Sequence, residues 1–245
     1  MHPLLKEIAH RLFPISQRPW IMKQVWHDLL FAHWPIPLAE MRQLVPAPLE
    51  VDSYDGRAWA AVTPFHMSGI RARGLPPLPG LSAFPELNAR TYVNFRGVPG
   101  VYFFSLDAGN RIAVKAARRS YFLPYFYARM KAQVRNDEVN YTSSRVSQPA
   151  EFRARYRPIG PVRIREKGSF EHFLTERYCL YAVRPTGEVF RGHIHHLPWP
   201  LQDAEAEIEC NTVAASAGIH LPQPQPVLLH FAKRLEVLVW WPQRA

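Results

Sequence analysis

The chain has 245 residues, 47% of them hydrophobic, and its 30 Lys and Arg against 20 Asp and Glu give a formal charge of +10. That apolar share excludes wholesale disorder, no apolar run reaches the length of a membrane-crossing helix, and 24 prolines argue against a helical bundle. The basic balance favours anionic partners without choosing among small organic acids, nucleic acid and an acidic membrane surface.

Leu4, Leu5, Ile8 and Leu12 recur at helical spacing and predict a short amphipathic helix over 3–13 that stops before Pro14. Trp20 to Phe31 alternates as a strand, and 38–45 reads as a helix ended by Pro46. Asp55-Gly56 is a turn signal whose flanks, 49–54 and 57–65, are expected to pair as a hairpin. The stretch 69–80 is rich in Gly and Pro and reads as a long loop of the kind that serves as a lid.

From Pro85 to Phe95 the residues alternate, with Glu86, Asn88, Arg90, Tyr92 and Asn94 on one face and Leu87, Ala89, Thr91, Val93 and Phe95 on the other. A turn at Gly97 and Pro99-Gly100 leads into 101–106, apolar on both faces apart from Ser105, as in a strand covered on both sides. Two readings of the polar face stay open: a solvated hairpin, or a pocket lining in which carboxylate, guanidinium, phenol and amides form one hydrogen-bonding set. A helix over 111–119 follows. Further on, 128–135 and 139–146 form a hairpin about Asn136-Asp137-Glu138, and Phe152 to Arg157 has period two. Ser169 caps a helix over 170–177, and 179–183 pairs with 189–195 across Pro185-Thr186-Gly187. The segment 205–211 fits helix or strand, and 227–240 alternates as terminal strand. With no repeat and no linker, a single domain over 1–245 is expected, α+β in class, mainly antiparallel β-sheet with short peripheral helices.

The segments WIMKQVWHDLLFAHWPIP, FPELNARTYV with GVYFFSLD, SYFLPYFYARM and HHLPWPLQ resemble those that mark the YqjF-like family of uncharacterised bacterial proteins, a domain-of-unknown-function family, over nearly the whole chain. That family is in turn similar to acetoacetate decarboxylases, which implies an acetoacetate-decarboxylase-like fold, a cone-shaped β-barrel round an interior pocket. The likeness aligns Glu86 with the pocket glutamate of those enzymes, Gly97 with the turn glycine, Asp107 with the aspartate and Pro124 with the proline of their Gly-x-Pro-Lys-Lys motif. The lysine pair is replaced by Tyr125 and Phe126, and neither can form a Schiff base. Lys115 is the remaining amine candidate, though a lysine on a basic helix face reads first as solvated.

Glu86 in apolar surroundings would have a raised pKa and act as general acid or base, and Arg90 four positions on could hold a substrate carboxylate by forked hydrogen bonds. A buried Glu86–Arg90 ion pair is the rival reading. Tyr92 and Tyr125 could orient a carbonyl or hydroxyl, Arg118 completes the substrate-binding set, and His195 is a second candidate for proton transfer. His193, His195 and His196 would need a third ligand, such as His33, His66 or Glu86, to hold zinc or iron, so no metal and no cofactor are expected. The stripe Arg153, Arg155, Arg157, Arg163 and Arg165 could follow phosphates, but Phe152 and Tyr156 sit on the opposite face like core residues, so neither nucleic acid nor a membrane is an expected partner. A small organic anion is, while homo-oligomerisation is left open. Two cysteines without a CxxC pair, and no secretory leader, fit a reducing cytoplasm. The chemistry expected is that of an enzyme on a keto or hydroxy acid without a Schiff-base lysine, with a non-catalytic binding or sensing protein as the alternative.

Overall fold

The structure, a computed structural model, describes residues 2–245. Among them run β1 (Met22–Pro37), α1 (Leu38–Leu44), β2 (Glu50–Val51), β3 (Arg57–Ala72), β4 (Phe84–Phe95), β5 (Val98–Ala108), α2 (Arg111–Tyr121), β6 (Tyr125–Arg135) and β7 (Glu138–Arg145). Then come β8 (Glu151–Arg163), α3 (Phe170–Thr175), β9 (Cys179–Val183), β10 (Val189–His195), β11 (Leu201–Asn211), α4 (Val213–Ser216), β12 (Leu228–Val239) and β13 (Gln243–Arg244). Pairing is antiparallel except where β5 runs parallel to β6 and to β9.

The hydrogen bonding closes on itself twice. β12, β1, β3, β4 and β5 pair in that order. The free edge of β5 is then divided: Val101 and Tyr102 pair with β9, while Leu106 to Ala108 pair with β6. β12 divides in the same way between β11 and β10. One ring therefore returns through β6, β7, β8 and β11, and the other through β9 and β10. The five shared strands are buried on both faces. Leu30, Ala32 and Trp34 of β1 pack with Tyr141, Phe152 and Tyr156 in one core, whereas Phe31 packs with Phe103, Leu106, Val114 and Trp199 in the other. Burial on both faces explains the apolar residues on both sides of β1 from Leu29 to Ile36, and why a strand with polar residues on one face is informative.

Local sequence signals set most turns. Asn136-Asp137 takes left-handed backbone and makes the two-residue turn between β6 and β7. The turn after β4 falls on Arg96-Gly97, both with positive φ, so Pro99-Gly100 lies within β5 and not at the turn expected there. Asp55-Gly56 does turn, but only Tyr54 and Arg57 bridge across it and β2 pairs with Val93 and Asn94 of β4, because from Ala60 onward the β3 edge facing the turn is taken by β4. β3 runs on to Ala72 and takes up the start of the expected loop. The ambiguous 205–211 segment is strand: Glu205 and Glu207 stand opposite Arg157 and Arg155 on β8.

The N-terminal segment is not the helix that its spacing predicts. Only Pro3–Lys6 forms a 3₁₀ turn, and Ile8 and Leu12 stay exposed. The buried residue there is Arg11, whose Nη1 donates to the Ile194 carbonyl at 2.9 Å while its guanidinium lies over the Tyr178 ring. The segment is a strap fixed by a cation to the back of β10.

Candidate functional site

A cavity of about 540 Å³ opens on the second core, between the shared strands and α2. β4 contributes Phe84, Glu86 and Arg90, and β1 contributes Met22, Gln24 and Trp26. α2 forms one wall with Ala113, Ala116, Ala117 and Ser120, spaced i, i+3, i+4, i+7 on one helix face. Asn110 caps this helix through its Oδ1, which accepts from the Ile112 and Ala113 amides. Ala113, Ala117 and Ser120 are half-buried and Ala116 is exposed, and small side chains at all four leave space that larger ones would fill.

Glu86 is 5% exposed, and burial pushes its carboxyl up to about 8, with the nearby Asp107 adding to the rise and the Tyr125 hydrogen bond opposing it. It is therefore mainly protonated at neutral pH. The Tyr125 phenol donates to Glu86 Oε2 at 3.1 Å, and burial together with the adjacent carboxyl holds that phenol well above the usual tyrosine range. The strand beneath is braced by Tyr141, which donates to the Glu86 carbonyl at 2.7 Å. Asp107 forms a buried pair with Arg145 through Nε at 2.9 Å and Nη2 at 2.7 Å.

Arg90 reaches into the same cavity. Its guanidinium lies 5.1 Å above the Phe31 ring, its Nε is buried without an acceptor, and among the described residues no carboxylate comes within ion-pair distance. The rival reading of a Glu86–Arg90 ion pair is therefore not realised. Trp199 packs edge-on to the same Phe31 ring at 4.9 Å, and its indole nitrogen is also buried and unpaired. His196 closes this end: its Nδ1–H donates to the Leu197 carbonyl at 2.7 Å, which leaves Nε2 as an unpaired acceptor, and burial pushes the imidazole down to about 3. Arg177 also lines the cavity, but its Nη1 sits 2.6 Å from Asp52 Oδ2. With Glu86 and His196 neutral and Arg177 matched by Asp52, Arg90 is left as the unmatched charge in the wall.

The other expected site residues are placed as follows. Tyr92 lies between the two arginines but does not line the cavity; it is fully buried and its phenol bonds His33 Nε2 at 2.7 Å. His195 faces away from the cavity with both nitrogens engaged, Nε2 donating to the Leu4 carbonyl at 2.8 Å and Nδ1 accepting from Arg11 at 3.1 Å. The alternation of β10 turns Ile194 and His196 inward and His193 and His195 toward the N-terminal strap. Arg118 is exposed on the outer side of α2, where its Nε donates to the Tyr125 carbonyl. Lys115 is exposed on α2, and no lysine lines the cavity. Among the described residues no group of three or more His, Cys, Asp or Glu side chains converges as a metal site, and none of the described helices is long and apolar enough to cross a membrane. Three arginines of the stripe meet carboxylates of β11: Arg155 meets Glu207 at 2.6 Å, Arg157 bonds Glu205, and Arg165, just past β8, meets Asp203 at 2.6 Å.

Sequence reasoning missed Arg177, Trp26, Trp199 and the alanine face of α2. The alanine spacing was legible in principle; Arg177 was not, because nothing in a single arginine after a short helix says that it turns inward.

The sequence matches the DUF2071 family, described as an uncharacterized conserved protein, over residues 23–236. It is 51% identical over 222 residues to the uncharacterized protein YqjF of Bacillus subtilis (strain 168), covering 90% of this chain and 91% of that one. Among solved structures it is similar to acetoacetate decarboxylase from Legionella pneumophila subsp. pneumophila str. Philadelphia 1, with a TM-score of 0.66 at 10% identity over 100% of this chain and 96% of the other. It is also similar to the enduracididine biosynthesis enzyme MppR complexed with pyruvate, with a TM-score of 0.64 at 10% identity over 97% of each chain. Identities this low speak for a shared acetoacetate-decarboxylase-like fold and for nothing finer.

Proposed function

The chain belongs to the DUF2071 family of uncharacterized conserved proteins, and from that premise and the cavity just described we propose that it binds a small organic anion and moves a proton on it. The supporting observation is the pairing, in one cavity, of a carboxyl kept protonated by burial, Glu86, with a guanidinium that has no carboxylate partner, Arg90. Four residues along a strand separate their Cα atoms by about 13 Å, a span that the two side chains and a ligand of a few atoms can fill. Arg90 holds the carboxylate of a keto or hydroxy acid. Glu86, backed by the Tyr125 phenol, donates to or withdraws from the carbonyl or the neighbouring carbon. A neutral acid with a pKa near the working pH is suited to that exchange in either direction.

Among the described residues the wall offers no amine, so the chemistry proposed does not pass through a Schiff base. The same feature supports a second reading, a protein that binds or senses the anion without turning it over. Turnover over a panel of keto and hydroxy acids, with Glu86→Gln measured beside wild type for both turnover and binding, separates the two. Loss of turnover with binding retained is the enzyme's signature. Binding without turnover in either protein leaves only the sensing reading, and no binding of any acid ends both. The proposal includes that the chain acts as a single unit.

A further inference from the structure

We propose that the ligand is a monocarboxylic acid with a long apolar body, its carboxylate at Arg90 and its chain running along the alanine face of α2 toward the cavity mouth; the inference rests on the anion-binding reading above. Volume is the first argument. At ~30 Å³ per water in the liquid, 540 Å³ holds roughly eighteen waters, and a keto acid of three or four carbons would occupy only about a third of that space.

The distribution of polarity is the second argument. Arg90 Nε and Trp199 Nε1 are buried donors without acceptors, and both side chains pack on the Phe31 ring. The Arg90 guanidinium, only partly buried and without a carboxylate partner, suits a carboxylate arriving at this end. With Arg177 matched by Asp52, one unmatched cation remains to meet it, which argues for a single anionic group. Most of the remaining wall is apolar: Met22, Met67, Ile70, Leu106, Ala113 and Ala117 line the same cavity.

The exposure gradient gives the direction. Phe103 and Leu106 are buried at 8% and 2%, whereas Ile112 and Trp241, which line the same cavity, are 62% and 52% exposed. An apolar rim at the open end of an apolar shaft is what a chain entering from solvent would use, and it leaves large hydrophobic side chains in water when the site is free. A polar small molecule would gain nothing from those residues.

The test is direct binding to the full chain, read by tryptophan fluorescence from Trp26 and Trp199, of straight-chain acids from propanoate to dodecanoate below their aggregation threshold, with dodecanol as the uncharged control. Affinity should rise roughly fourfold for each added methylene through the middle of the series, and dodecanol should bind more than about tenfold more weakly than dodecanoate. If the acids bind equally at every length, the long-chain inference is overturned while the anion-binding reading survives. If dodecanol matches dodecanoate, or if no acid binds, the role of Arg90 fails and takes both with it. Ala116→Phe should stop the rise at a shorter chain without changing propanoate. A rise that continues unaltered in a variant that melts like wild type would place the chain elsewhere and overturn the proposed path. The wild-type series decides the main point even if the variant does not fold.

Discussion

Replacing Glu86 with glutamine probes the cavity's electrostatics without changing its shape, since the amide keeps the outline of the side chain and can still accept from Tyr125. Burial lifts the Glu86 carboxyl to about 8 from an ordinary value of 4.5. Across that window the folded protein keeps a proton that the unfolded chain has already released, so stability falls as pH rises from about 4.5 to about 8 and is level beyond. At about 1.4 kcal/mol per unit, wild type carries a penalty of under 1 kcal/mol near pH 5, roughly 3 at pH 7 and nearly 5 above pH 9. Glu86→Gln has no such penalty. Urea unfolding of both proteins at several pH values gives the difference directly, and titrating groups common to the two cancel. The variant should gain on wild type steadily between about pH 5 and pH 8. A constant offset across that range, or a wild type that gains on the variant as pH rises, would refute the claim that this carboxyl is held protonated.

Three further substitutions test the frame round the site. Arg145→Met removes the Nε hydrogen bond and the Nη2 ion-pair contact to Asp107 and leaves a buried carboxylate alone, so it should cost about 3–5 kcal/mol in urea unfolding, with part of the loss recovered on adding Asp107→Asn. Gly100→Ala puts a methyl 2.7 Å from Tyr181 Cε2 and 2.9 Å from the Cys179 carbonyl, where β5 meets β9, and should lower stability by about 1–3 kcal/mol. Tyr92→Phe strips His33 of its 2.7 Å partner and should cost about 1–3 kcal/mol by the same measurement; a neutral result would mean that the two rings relax around the gap.

Period-two alternation placed Glu86 and Arg90 on one face of β4, and in the structure these two line the cavity, whereas Asn88, Tyr92 and Asn94 of the same face do not. Alternation alone could not say which face met solvent, because the answer depends on a second ring of strands, β9 and β10, contributed from some ninety residues later in the chain. The same limit explains the β2 partner. The Asp55-Gly56 turn is local and legible, but the edge it would have fed is occupied by β4, a fact of topology. His195 failed as a cavity residue for a subtler reason. The parity of β10 was legible and put His196 on the opposite side from His195, yet which parity faced inward was fixed by the N-terminal strap, where Arg11 claims the His195 ring. Arg118 sat one residue from the inward face of α2 at Ala117, and a helix turns 100° in one step.

The position where the decarboxylase likeness expects an amine is held by a phenol, and the structure supplies a physical reason why a single substitution would not restore amine chemistry. Tyr125→Lys would set an ammonium against Glu86, and in a dry cavity the two would exchange a proton and form an ion pair. That pairing lowers the carboxyl's pKa and raises the amine's, the reverse of what a nucleophilic lysine needs. Removing the carboxyl as well leaves the lysine in apolar surroundings, where burial depresses its pKa. Borohydride trapping after incubation with pyruvate should therefore find little adduct on Tyr125→Lys and clearly more on the double variant Tyr125→Lys, Glu86→Gln. Equal trapping on the two would mean that Glu86 does not govern the protonation of that position, and the electrostatic account of the cavity would have to be abandoned.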